Sequence, residues 1–232
     1  MQSHCIDAVI LQCMSEPVNP DLRAARVAET EDKILRSAAE LFTEHGYAGT
    51  TLAAVADHAR VGARTVYVRF GTKAGLLKRA VDVAIAGDAA PVDVRGRDWF
   101  TLTLNAPTAA ERIAAMAHGG AAMMARAGDI LAVALQAAGV EPELAEASQA
   151  GRRATLDNFR LFWTRMAEDG LLPPGSDIDW LTETSTLLGH AETYLLARQM
   201  MGWDPDAYER WLTVSFTRLA FGEAEPAAFS GA

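Results

Sequence analysis

Five residues in one short run of this chain have side chains that recognise phosphate or the edge of a base: Arg64, Thr65, Tyr67, Arg69 and Lys73. A guanidinium is a planar fork of N–H donors that matches guanine N7 and O6 or a pair of phosphate oxygens, and the hydroxyls of Thr65 and Tyr67 suit phosphate oxygens. Lys73 follows Gly71-Thr72, where the free N–H groups and dipole of a helix start would add to its attraction for a phosphate. For these groups to act together they must lie on one side of one helix.

The apolar spacing around them supplies that helix and its support. Leu52, Val55, Ala56 and Ala59 fall at i, i+3, i+4 and i+7, and Thr50 or Thr51 stands where an N-cap hydroxyl satisfies the first free N–H groups. Arg60-Val61-Gly62 interrupts the period, with glycine supplying the backbone freedom, and Val66 and Phe70 resume it at i, i+4. At about 100° per residue, Arg64 and Val68 project almost opposite Val66, with Ala63 and Tyr67 to one side and Thr65 to the other. Two short helices joined by a tight turn are the geometry of a helix-turn-helix, whose second helix enters the DNA major groove. Spacing alone leaves Tyr67 open as a half-buried core aromatic and Lys73 as a solvated helix-start residue. Upstream, Glu29 to Gly46 reads as a scaffold helix with Ile34, Ala38, Leu41 and Phe42 as its stripe and Gly46 as its stop.

From Glu29 to Leu77 the chain resembles the DNA-binding domain of the TetR family of transcriptional regulators. The resemblance rests on Phe42, Gly46 and Tyr47 closing the first helix, on Thr50-Thr51 opening the second, and on Thr65, Tyr67, Phe70 and Lys73. Helix geometry and the resemblance together assign DNA contacts to Thr50, Thr51, Gly62, Ala63, Arg64, Thr65, Tyr67, Val68, Arg69 and Lys73. Four positions depart from the family pattern. Arg60 stands where glycine is frequent and Gly62 where serine often caps the recognition helix; Arg64 replaces a small residue and Arg69 a histidine. The base sequence read by this helix therefore does not carry over from relatives.

Charge distribution agrees. Residues 21–79 hold ten Lys plus Arg against seven Asp plus Glu, while residues 80–232 hold eleven against twenty-one, so a basic segment sits in a chain of net charge −9. An acidic protein is repelled by a duplex as a whole, so any binding must be local and salt-sensitive.

With 232 residues, half of them hydrophobic, the chain has room for a small N-terminal domain and a larger helical domain with its own core. Cys5 and Cys13 are the only cysteines, which excludes a framework of disulfides or a Cys-rich zinc site in the body of the protein and fits a cytoplasmic location. No apolar run reaches the roughly 18 residues that span a bilayer. Residues 1–25 are expected to be a tail, with Met14 a second candidate for the start of translation, and residues 226–232 another; 26–72 form the DNA-binding domain and 73–225 the regulatory and dimerisation domain. HExxH, GxSxG, GxxxxGK and a Gly-rich dinucleotide turn are all absent, and the five histidines are dispersed, so neither an enzyme, a metal site nor a cofactor is expected.

Beyond a connecting helix from Thr72 to about Ala86 and a breaking segment from Asp88 to Pro107, helical stretches are expected near 108–126, 129–138, 142–168, 177–201 and 205–221. The fold class is all-α. The last two stretches carry more apolar surface than one core needs, and Leu187, Leu188, Ala191, Leu195, Tyr208, Trp211, Leu212, Ser215 and Leu219 are assigned to a four-helix homodimer interface, as the resemblance also implies. The resemblance further implies an effector pocket, for which Met116, His118, Met123, Phe159, Trp163, His190 and Tyr194 are the candidates, the low-charge run from Ala109 to Ala138 favouring an apolar or amphipathic small molecule. The expected function is repression at an inverted-repeat operator of double-stranded DNA, relieved by that effector. Two other readings stay open: a DNA-binding dimer whose second domain makes protein contacts only, and a helical ligand carrier or enzyme.

Overall fold

The computed structural model describes residues 20–88 and 94–222. The expected tails therefore lie largely outside the described residues, as do Cys5, Cys13 and Met14. Among the described residues ten α-helices follow one another: α1 (Pro20–Gly49), α2 (Leu52–His58), α3 (Ala63–Phe70), α4 (Lys73–Ala86), α5 (Asp98–Asn105), α6 (Ala109–Ala137), α7 (Pro142–Glu168), α8 (Ile178–Leu188), α9 (Ala191–Met201) and α10 (Pro205–Phe221), with one 3₁₀ turn at Val94–Gly96. No strand occurs among the described residues.

Two hydrophobic cores organise these helices. The first gathers Ile34, Leu35, Ala38 and Phe42 of α1, Leu52, Val55 and Ala56 of α2, Val66 of α3 and Leu76, Leu77, Ala80 and Val81 of α4. Ile130, Val133 and Ala137 of α6 and Leu144 of α7 join it, so the end of α6 and the start of α7 are bound into the N-terminal domain. α4 thus completes the first core instead of merely leaving it at residue 72. The second core centres on Phe162, Trp163, Tyr208 and Phe216, all fully buried, surrounded by α5, α6, α8 and α9.

Several boundaries differ from the sequence expectation. α1 begins at Pro20, so residues 20–25 are helix and not tail. It bends at Gly46 (φ 70°), the residue expected to stop it, before one more turn to Gly49. The expected break between 126 and 129 is absent: α6 runs unbroken from a capping box, in which the Thr108 hydroxyl accepts from the Glu111 amide and the Glu111 carboxylate accepts from the Thr108 amide. Conversely, the expected helix 177–201 is two helices parted at Gly189-His190.

Candidate nucleic-acid interface

The geometry of α2 and α3 is set by their ends. The Thr51 hydroxyl accepts from the Ala54 amide at 3.1 Å and caps α2. At the other end Arg60 turns left-handed (φ 57°), the Val61 amide donates to the Ala56 carbonyl at 2.9 Å and the Arg60 amide to the Asp57 carbonyl at 3.1 Å. This is a Schellman turn with arginine in the place glycine usually takes. The freedom expected of Gly62 is not used, since its φ is −66° and it simply precedes α3 as an N-cap without a side-chain bond.

α3 presses Val66 fully into the first core and half-buries Phe70. Its outer face carries Ala63, Arg64, Thr65, Tyr67 and Val68, all exposed, with Tyr67 at 53% and Val68 at 77% although both have large apolar bodies. An open groove runs along it, lined by Arg64, Thr65, Val68 and Arg69.

Three of the residues expected at this surface face elsewhere. Thr50 is buried, and its hydroxyl donates to the Gly46 carbonyl at 2.9 Å with the Leu41 carbonyl also in reach at 3.0 Å, so it staples the end of α1 and offers nothing to a duplex. Arg69 lines the groove but turns its guanidinium onto α1, donating to the Val27 carbonyl at 3.1 Å and pairing with Glu31 at 3.4 Å. Lys73 donates to the Tyr47 carbonyl at 2.7 Å with its ammonium 4.1 Å from the centre of the Tyr47 ring. An ammonium has three donors, so Lys73 keeps capacity for a phosphate beside the Thr72-capped start of α4.

Polar anchors that the sequence did not single out surround this module. The Tyr47 phenol donates to Glu141 at 2.8 Å and the Thr72 hydroxyl to Glu143 at 3.1 Å, so the start of α7 grips the end of α1 and the start of α4. Burial, then the hydrogen bond to the Glu141 carboxylate, push the Tyr47 phenol well above its ordinary pKa. Glu141 and Glu143, the two partners not singled out in sequence, lie scores of residues from Tyr47 and Thr72, which is why spacing gave no sign of them.

In the second domain the effector candidates divide. Met116, Phe159, Trp163 and Tyr194 are buried together in the second core, with Met123 packed at its edge. The Trp163 indole donates to the Ser185 hydroxyl at 3.0 Å, and Tyr194 meets Tyr208 edge-on at 5.0 Å. His118 is not among them: it is exposed on α6 and pairs with Glu209 at 3.0 Å. His190 stands at the start of α9 beside Glu192. Of the dimer candidates, Leu187 is exposed, and Leu188, Ala191, Leu195, Trp211, Ser215 and Leu219 are half-buried, whereas Tyr208 and Leu212 are spent inside the subunit. The Tyr208 hydroxyl donates to the Leu188 carbonyl at 2.8 Å, which fixes α10 to the end of α8.

A three-helix head whose second and third helices form a helix-turn-helix, followed by a helical second domain, defines a class of DNA-binding regulators. Residues 34–80 match the family model described as "Bacterial regulatory proteins, tetR family". Over 59 residues the chain is 37% identical to the HTH-type transcriptional regulator TcmR of Streptomyces glaucescens, a match that spans 25% of this chain and 26% of that protein. The same fold is found in FadR from Bacillus subtilis, crystallised with stearoyl-CoA (TM-score 0.64, 16% identity, 83% of this chain and 98% of that one). It is found too in NalD, the secondary repressor of a multidrug efflux pump in Pseudomonas aeruginosa (TM-score 0.60, 23% identity, 83% and 96%). Residues 34–80 are thus a DNA-binding domain of the TetR family, and the solved structures share the fold of that domain together with the helical second one. No described helix is long and apolar enough to cross a membrane.

Proposed function

We propose that the protein binds operator DNA as a homodimer and represses transcription until a small apolar or amphipathic effector releases it. The observation that carries the DNA-binding part is the outer face of α3, where Arg64, Thr65, Tyr67 and Val68 stand clear of the protein over a buried Val66. Arg64 reads a base edge or phosphate, Thr51, Thr65 and Tyr67 supply hydroxyls, and the backbone at Gly62 and Ala63 brings the helix close. Selection of bound fragments from the source genome tests this: one enriched inverted repeat is expected, and a protein that ignores every duplex at low salt refutes it. Against that repeat, Arg64→Ala or Tyr67→Ala should cost about 1 to 3 kcal/mol while folding stays intact.

Release requires that the effector favour one arrangement of the two DNA-binding heads over the other. The supporting observation is the pair of carboxylates at the α6–α7 turn, which meet Tyr47 and Thr72 and so link the second domain to the head alongside α4. FadR's stearoyl-CoA is an amphiphile of the expected kind, and acyl-CoA esters are the first compounds to try. A second reading is favoured by the interlocked rings of Phe162, Trp163 and Phe216, which fill the centre of the second domain. In that reading the domain only dimerises or contacts another protein, and no amphiphile loosens the repeat.

A further inference from the structure

We propose that Glu31 and Arg69 are positioning residues for the recognition helix, and that Arg69 is not a DNA contact; this rests on the reading of α3 as the helix that meets the duplex. α3 spans only eight residues, lacks a side-chain N-cap and buries one residue completely, so neither its length nor its own hydrogen bonds fix its orientation. A tie at its far end does. Arg69, in the last turn of α3, donates to the Val27 carbonyl of α1 at 3.1 Å and sets its Nε 3.4 Å from Glu31 Oε2. The other oxygen of the same carboxylate accepts from both Nε and Nη2 of Arg79 on α4, each at 3.2 Å. One carboxylate thus fastens α1, α3 and α4 to one another. The side chains of Glu31 and Arg69 are each 24% exposed, so the tie is shielded from the screening that weakens a loose surface pair.

The proposal predicts a sign that simple electrostatics does not. Glu31 is a negative charge on the one basic domain, and removing it should strengthen attraction to every duplex if charge were all that mattered. A positioning role predicts the reverse for the specific site, because α3 would lose its fixed angle to the groove.

The test uses the full-length protein, a duplex carrying the repeat enriched by selection, and a scrambled duplex of equal length. Glu31→Gln is expected to weaken binding to the repeat by about fivefold to tenfold while leaving the scrambled duplex within about twofold. Arg69→Ala should do the same with the native slope of log affinity against log salt, Arg69→Lys should recover part of the loss, and the double variant should be no worse than either single one. Tighter or unchanged binding by Glu31→Gln overturns the proposal, as does a slope flattened by about one for Arg69→Ala, which would make Arg69 a phosphate contact. Amide hydrogen exchange of residues 64–70 in the DNA-free protein gives a readout independent of any operator. Both variants should exchange faster there while the core amides of α1 stay protected, and unaltered exchange in α3 overturns the tie. A native protein that binds no duplex would defeat the regulator reading, and the exchange data would still decide the tie.

Discussion

At the scale of single residues, the conformation of the helix-turn-helix is held by side chains that do not face outward. Arg60 occupies the left-handed region with a full side chain, a conformation that costs a non-glycine residue about 1 to 2 kcal/mol. Arg60→Gly should therefore raise the free energy of unfolding by about 1 kcal/mol, read as a higher denaturant midpoint at constant slope. An unmoved midpoint would mean that the arginine is held by something that repays its strain. Thr50 is the opposite case: its buried hydroxyl satisfies carbonyls left open where α1 bends at Gly46, so Thr50→Val should destabilise by about 1 to 2 kcal/mol. A loss of DNA binding without loss of stability in that variant would return Thr50 to the contact surface.

At the scale of elements, packing between distant segments decides what local pattern leaves open. α2, α3 and the start of α4 were legible in sequence because each is short, capped by a hydroxyl or glycine and striped on one face. α5 was not, because its eight residues lie in a stretch punctuated by Gly96 and Pro107, and what makes it a helix is burial of Phe100 and Thr103 against the second domain. Trp99, in the first turn of α5, rests on α6 at Gly119, where a Cβ would come within 2.0 Å of the indole. Gly119→Ala must push that ring away and should cost about 1 to 3 kcal/mol, a loss that melting curves would register. Gly189, at the split between α8 and α9, is similarly crowded, with the Phe159 ring 2.7 Å from where a Cβ would stand, a contact no local pattern reveals. The α6–α7 latch belongs here too. Because the Tyr47 phenol is raised above its usual range, it stays protonated below its ordinary titration and loses its bond only as pH climbs through the raised value. The grip on Glu141 should thus be constant between about pH 6 and 9. Tyr47→Phe should reduce the effect of a confirmed effector on operator affinity across that whole window, and an unchanged response would remove the latch from the coupling route.

At the scale of the whole molecule, the distribution of apolar surface argues for a partner of the same kind. Tyr208 and Leu212 are consumed inside the subunit, yet the outer faces of α8 and α9 leave Leu187 70% and Met200 71% exposed, with Trp180 and Leu196 about half exposed. A two-fold axis through this side of the second domain would pair the face with itself and present two copies of α3 to half-sites about one helical turn apart, roughly 34 to 36 Å. A single head buries too little of a duplex to bind tightly against the repulsion of an acidic body, so dimerisation and operator affinity should fall together. Leu187→Glu combined with Leu196→Glu would put two charges on each copy of this face, disfavouring its pairing, while touching no buried residue. The expected outcome is a monomer in sedimentation, a melting temperature within a few degrees of a native sample diluted to the monomer, and loss of binding to the full repeat greater than tenfold. If the variant still sediments as a dimer, the subunits meet through another face, and the half-site spacing of the selected repeat would then have to be explained from that geometry.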